Sequence, residues 1–292
     1  MLILFLGEKT MSVSKKILLK VNKLFKLPIH PFNLQNEGKM TYAQWQYEKG
    51  AETIKFYTQV KTTDEMFKDK KVLDIGCGAA GKSLYYASLG AKEVHGVDVV
   101  ESYTKQSKEL AVEKGFEDVF TFHLGDAANL EFSDNTFDTI IMNDAMEHVS
   151  KPESVMKECY RVLKTGGKLY INFCPYHHPF GAHLSDVIGI PWVHLFFSEK
   201  TMIDSYKELV DNMPDKDMRI GFRFSKDENG KETISYINKM TVKRFKKILK
   251  SSPFKTSEYY KEIPLRNVFK VLTKIPLIKE CFVKMVVVIC EK

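Results

Sequence analysis

The sequence predicts an α/β protein: a mostly parallel, seven-stranded sheet with helices on both faces, an antiparallel last strand and an inserted lid. Three observations carry this. Short apolar runs alternate with helix-length segments from residue 71 onward. A glycine-rich turn follows the first apolar run, at Gly76, Gly78 and Gly81. The alternation breaks at residue 175 and resumes at 241. Strands separated by helices of this length need crossover connections, and crossovers make parallel sheets with covered faces.

The elements follow in order. Ile17, Val21, Leu24 and Phe25 fall at helical spacing among lysines, so residues 14–27 read as a basic amphipathic helix ended by Pro28 and Pro31. Residues 42–57 read as one aromatic-rich helix. Lys71–Ile75 is a strand, 81–89 a helix stopped by Gly90, and 93–97 a second strand. A helix over 101–114 ends at Gly115. Strands follow at 119–124 and, after the turn Ser133-Asp134-Asn135, at 139–143. Pro152 suits the first turn of a helix over 153–163, and Gly166-Gly167 lies past its end, before a strand over 168–173. Residues 175–240 hold aromatics, histidines and a hairpin turn at Asn229-Gly230. A helix over 241–249 and strands near 257–263 and 282–289 complete the pattern. The expected organisation is an N-terminal helical cap (1–60), an α/β core (61–174), a lid (175–240) and a C-terminal completion of the core (241–292).

Composition narrows the setting. The chain has 292 residues and five cysteines without paired spacing, which suits free thiols in a reducing, cytoplasmic compartment. The apolar start Met1–Leu6 lacks a basic region before it and a cleavage site after it, so it is a poor signal peptide, and Met11 is a possible start. No apolar run is long enough to span a membrane. The net charge of +7 is uneven: residues 1–40 carry seven Lys/Arg against two Asp/Glu, residues 241–292 thirteen against four, and the centre is acidic. Basic ends are solvated helical faces or mark an anionic partner or surface.

The glycine turn defines a ligand pocket, because an open parallel sheet binds ligands at the carboxyl ends of its strands and a helix N-terminus offers free N–H groups. The spacing Gly76-x-Gly78-x-x-Gly81, with Asp98 further on, also fits a dinucleotide site. Asp74, directly before the glycines, can meet an ammonium group but would repel a pyrophosphate. Asp126, after the third strand, can accept a hydrogen bond from an amino group.

Read together, Val72-Leu73-Asp74-Ile75-Gly76-Cys77-Gly78, Val97-Asp98, Gly125-Asp126-Ala127, Phe137-Asp138-Thr139-Ile140-Ile141, Glu147-His148-Val149 and Arg161-Val162-Leu163-Lys164-Thr165-Gly166-Gly167 resemble, in order, the class I S-adenosylmethionine (SAM)-dependent methyltransferases, near the ubiquinone and menaquinone biosynthesis branch. The resemblance covers residues 72–173. Thr165 replaces the usual proline of the last motif. It implies a Rossmann-like fold and SAM as cofactor. It implies that Asp74, Gly76 and Gly78 surround the methionine end of SAM, that Asp98 holds the ribose hydroxyls, that Asp126 binds the adenine amino group with Ala127 beside it, and that Asn143 lies beneath the methionine portion.

Methyl transfer to a hydroxyl or carbon acid is helped by a general base. His177, His178, His183 and His194 cluster after the fifth strand, and His178, His177 and His183 are the candidate bases, His178 preferred for its closeness to the strand end. Shaping the lid is the plainer role for these histidines. His177, His183 and Asp186 match no strong zinc spacing, so no metal is expected. His148 reads as a packed or capping residue. The apolar run Ile188–Val193 with Leu195, Phe196 and Phe197 suits either a hydrophobic acceptor pocket or the lid's own core. The expected partner is a small-molecule methyl acceptor, without DNA, and the basic N-terminal helix permits peripheral membrane contact. The alternatives are an RNA or protein methyltransferase, a non-catalytic SAM-binding protein and a nicotinamide-dependent enzyme. Against the first of these, residues 141–150 lack the Asn/Asp-Pro-Pro-aromatic signature of amino-group methylation.

Overall fold

The computed structural model describes residues 12–254, 256–266, 268, 271, 272, 275 and 278–292. The apolar start Met1–Leu6 and Met11 lie outside them.

The N-terminal region is built of short helices: α1 (Val13–Asn22), α2 (Pro31–Asn36), α3 (Tyr42–Glu48), α4 (Gly50–Ile54) and α5 (Thr63–Phe67). Two expectations are corrected here. The basic helix ends at Asn22, well before Pro28, and Pro31 begins α2 instead of ending α1. Its apolar stripe therefore shortens. Leu18 is fully buried, whereas Ile17 and Leu24 stay exposed. The aromatic helix over 42–57 is two helices separated at Lys49. Thr41 and Gln44 form a reciprocal capping box at the start of the first.

The sheet order is β3-β2-β1-β4-β5-β9-β8. Its strands are β1 (Lys71–Ile75), β2 (Glu93–Asp98), β3 (Phe120–Leu124), β4 (Phe137–Asn143), β5 (Leu163–Phe173), β8 (Tyr259–Pro264) and β9 (Val283–Glu291). The strands from β3 to β5 pair in parallel, and β9 runs antiparallel to both β5 and β8. The expected seven strands and the antiparallel last strand are thus present. The crossovers are α6 (Gly81–Ser88), α7 (Tyr103–Lys114) and α8 (Pro152–Val162), with α12 (Val242–Ser251) closing the C-terminal part. Each sheet face carries its own apolar cluster. Leu73, Ile140 and Val155 belong to one, and Val72, Ile141 and Tyr86 to the other. This follows from strands whose successive residues point to opposite covered faces.

Residues 175–240 hold α9 (Val193–Phe196), α10 (Glu199–Val210), α11 (Lys216–Arg223) and the hairpin β6 (Phe224–Lys226) and β7 (Glu232–Ile234) around Asn229-Gly230. They form a third cluster, which takes in Leu18 of α1. Asn22 fixes α1 there: its amide donates to the Val187 carbonyl at 2.8 Å and accepts from the Gly189 N–H at 2.8 Å. Ile188, Ile190 and Val193 are buried in this cluster, so that part of the apolar run is core. Phe196 is 72% exposed. No helix among the described residues is long and apolar enough to cross a membrane.

Candidate active site

Two adjoining cavities open at the carboxyl ends of the parallel strands, beside the point where the strand order reverses between β1 and β4. The first, about 430 Å³, is lined by Gly76, Gly78, Asp98, Asp126 and Ala127. The second, about 340 Å³, is lined by Asn143, Glu147, His178, His183 and Arg223 among aromatic side chains. Tyr42, Gly76, Asp144, His148, Phe222 and Tyr236 line both, so the cavities share a wall.

The glycine turn is shaped by its backbone. Gly76 and Gly78 have φ of +68° and +58°, a region open to glycine. Asp98 ends β2 and ties the turn down: its Oδ2 accepts from the Gly78 N–H at 2.8 Å and its Oδ1 from the Val100 N–H at 3.0 Å. A carboxylate has room for further donors beyond these two. Gly81 serves a different purpose. A Cβ there would lie 2.0 Å from the Ala43 carbonyl oxygen, so α3 rests directly on the start of α6. Gln46 of α3 accepts from the Gly81 N–H at 3.4 Å and donates to the Cys77 carbonyl at 3.3 Å. The helix N-terminus that a pyrophosphate would use is therefore covered by protein.

Asp126 is exposed at the rim of the first cavity, and its Oδ1 accepts from the Ala128 N–H at 2.9 Å. Asn143 lies at the second cavity, with its amide engaged by Tyr57, Tyr86 and Asn172. Asp74 is placed differently from its expected role. It is 2% exposed, lines neither cavity, and accepts from the Ser83 hydroxyl at 2.6 Å. Burial pushes its carboxyl up to about 7. The acid that does stand on the shared wall is Asp144, held by Lys82 at 3.0 Å in a backbone of positive φ (+51°).

The histidines separate. His177 lines neither cavity and pairs with Glu280 at 3.0 Å. His178 lines the second cavity, but its Nδ1 accepts from the Phe180 N–H at 3.2 Å. With Nδ1 accepting, the neutral ring carries its proton on Nε2. Burial pushes its pKa down to about 4. Asp186 is locked away: fully buried, it pairs with Arg219 at 2.7 Å and Arg223 at 3.1 Å and accepts from Tyr206 at 2.6 Å. It is not free to ligate anything.

Three cavity residues, Asp144, Glu147 and His148, carry no site role in the sequence reading. His148 is more than packing, since it stands on the wall between the cavities and donates from Nδ1 to the Tyr236 carbonyl at 2.8 Å. Burial pushes its pKa down to about 4, and burial beside Asp144 pushes the Glu147 carboxyl up. The available signal was position: the three follow directly on the carboxyl end of β4.

Residues 73–171 match the family model described as a methyltransferase domain. The α/β region is thus similar to methyltransferase domains. The chain is 31% identical to a demethylmenaquinone methyltransferase of Symbiobacterium thermophilum, covering 45% of this chain and 59% of that one. It is 32% identical to the norajmaline N-methyltransferase of Rauvolfia serpentina, covering 37% of each. The chain thus spans less than two thirds of the length of these relatives. A solved SAM-dependent methyltransferase from Mesorhizobium loti shares the fold, with TM-score 0.52, 13% identity and coverage of 84% of this chain and all of that one.

Proposed function

We propose that this protein transfers the methyl group of SAM to a small acceptor with an apolar or aromatic body. The observation that carries this is the shared wall. A cavity bearing the expected donor residues meets one bearing aromatic and histidine side chains, at Gly76, Asp144 and His148. When bound, SAM supplies an electrophilic methyl on a sulfonium centre. Asp98 would hold the ribose hydroxyls with the lone pairs left by Gly78 and Val100, Asp126 and Ala127 would meet the adenine, and the glycine turn would take the methionine end. The half-buried position of Asp98 in the cavity wall fits a diol ligand, and the covered start of α6 argues against a pyrophosphate.

On the acceptor side, the chain's contribution is alignment and exclusion of water. Phe180, Phe222 and Tyr236 supply apolar wall, and His178 offers an N–H to a polar group of the acceptor. Residues 175–240 act in this reading as the lid. Relatives named for the methylation of demethylmenaquinone and of norajmaline support a small-molecule acceptor. Incubation with methyl-labelled SAM and fractionated cell extract tests this. Label should enter the small-molecule, solvent-extractable fraction. Label confined to RNA or protein would contradict the reading.

Exposed Ile17, Leu24 and Ile29 beside Lys16, Lys20 and Lys23 support peripheral contact with an anionic membrane. Co-sedimentation with anionic but not zwitterionic vesicles is the expected result, and equal failure with both would remove this part.

A further inference from the structure

Glu147, His148 and His183 converge on the second cavity. One ligand atom from each lies within 4.8 Å of the other two. Glu147 and His148 come from the loop after β4, and His183 comes from 35 residues further on. Several features fix this arrangement before any ligand arrives. His148 donates from Nδ1 to the Tyr236 carbonyl, which leaves the Nε2 lone pair free. A ring nitrogen anchored to a carbonyl is the usual way a ligating histidine is oriented. The Asn238 side chain donates to the Met146 and Val149 carbonyls at 2.8 and 2.7 Å, and its N–H donates to the Glu147 carbonyl at 2.8 Å, so the loop is stapled. His183 is held at φ +54°, a conformation an ordinary residue adopts at a cost.

The Glu147 carboxylate points to an absent partner. Its Oε1 accepts from the Cys174 N–H at 3.2 Å, while its Oε2 is buried without a hydrogen-bond partner. A buried carboxylate oxygen left unpaired is costly, and a bound cation is one of the few things that removes the cost. Two imidazoles and one carboxylate are the donor set of first-row divalent metals, and three protein ligands leave positions open for substrate.

We infer that Glu147, His148 and His183 bind a divalent transition-metal cation whose open positions face the acceptor cavity, and that the acceptor presents a hydroxyl oxygen to it. The role of the cation rests on the proposed methyl transfer; the binding site does not. Held on the cation, the acceptor O–H loses its proton to solvent more readily. The oxygen–carbon bond then forms as the sulfur–carbon bond of SAM breaks, with the electron pair staying on sulfur.

Cobalt(II) is the probe, added to untagged, chelator-treated full-length protein, with visible absorption and calorimetry as readouts. SAM binding is measured on the same samples. Wild type should take up one cobalt per chain with the visible bands of a low-coordinate site. E147Q and H183A should each lose more than the roughly 100-fold that removal of an outer partner of a ligand costs. H177A, altered outside both cavities, should bind as wild type. Phenol should then perturb the cobalt spectrum of wild type. If wild type binds SAM but takes up no cobalt, or if E147Q binds cobalt equally well, the metal site is wrong and the donor reading stands. Cobalt uptake without SAM binding overturns the donor reading alone. An unchanged spectrum with phenol overturns the hydroxyl assignment. Should H183A fail to fold, E147Q, which keeps the bond from Cys174, decides.

Discussion

Asp98 Oδ2 accepts the Gly78 N–H at 2.8 Å, so the residue expected to hold the ribose also holds the glycine turn. One carboxylate therefore links the floor of the donor cavity to its wall. Asp98→Ala should weaken SAM binding by about 1.5–3 kcal/mol, the range for a lost charge-assisted hydrogen bond. Calorimetric titration reads this directly, and unchanged affinity would remove Asp98 from the site.

Gly81→Ala should force α3 away from α6, because the added methyl meets the backbone of Ala43 and Tyr47 and not a flexible side-chain end. Overpacking of this kind costs about 1–3 kcal/mol. Urea denaturation gives the loss, and a variant as stable as wild type would show that α3 is not seated there.

Asp186→Ala should destabilise the protein by about 3–5 kcal/mol, since it leaves Arg219 and Arg223 buried without their shared carboxylate. The same denaturation experiment checks it. A cost near zero would mean that the arginines reach water or another acid.

Asp74 gives a prediction in pH. Its carboxyl sits at about 7 in the folded protein, against an ordinary value of 3.8, because burial penalises the charge. The folded state then binds the proton more tightly than the unfolded state. The stabilisation is complete below pH 3.8 and is lost as pH rises through 7. Asp74→Asn removes this dependence. Midpoints measured at pH 5 and 8 should shift in favour of the variant at the higher pH, and parallel curves would contradict the assignment.

His178 and His30 carry the opposite sign. Burial holds both near 4, below the ordinary 6.5, so the unfolded chain binds protons that the folded one does not. Stability should fall as pH drops from 6.5 toward 4. His178→Gln should flatten that slope, and an unchanged slope would show that the ring charges without cost.

The sheet was readable because strand and helix periodicities are local, and Gly76, Gly78, Asp98 and Asp126 were readable because they sit at strand ends, where the fold places a pocket. What escaped depends on distant pairing. Nothing near Asp74 says that Ser83 and burial will close it off. Nothing near His177 announces Glu280, 103 positions away. His148 looks like packing until Tyr236 and His183 are brought to it by the chain returning from the lid. Apolar residues keep helical spacing out to residue 27, but the first helix ends at Asn22, whose side chain is tied to Val187 and Gly189.

The most direct test of the central claim is calorimetric titration of the full-length protein with SAM and, separately, with NAD. One SAM bound per chain, with no heat from NAD, is the predicted result. Clear NAD binding with none for SAM would contradict the reading of the donor cavity from Gly76 to Asp126.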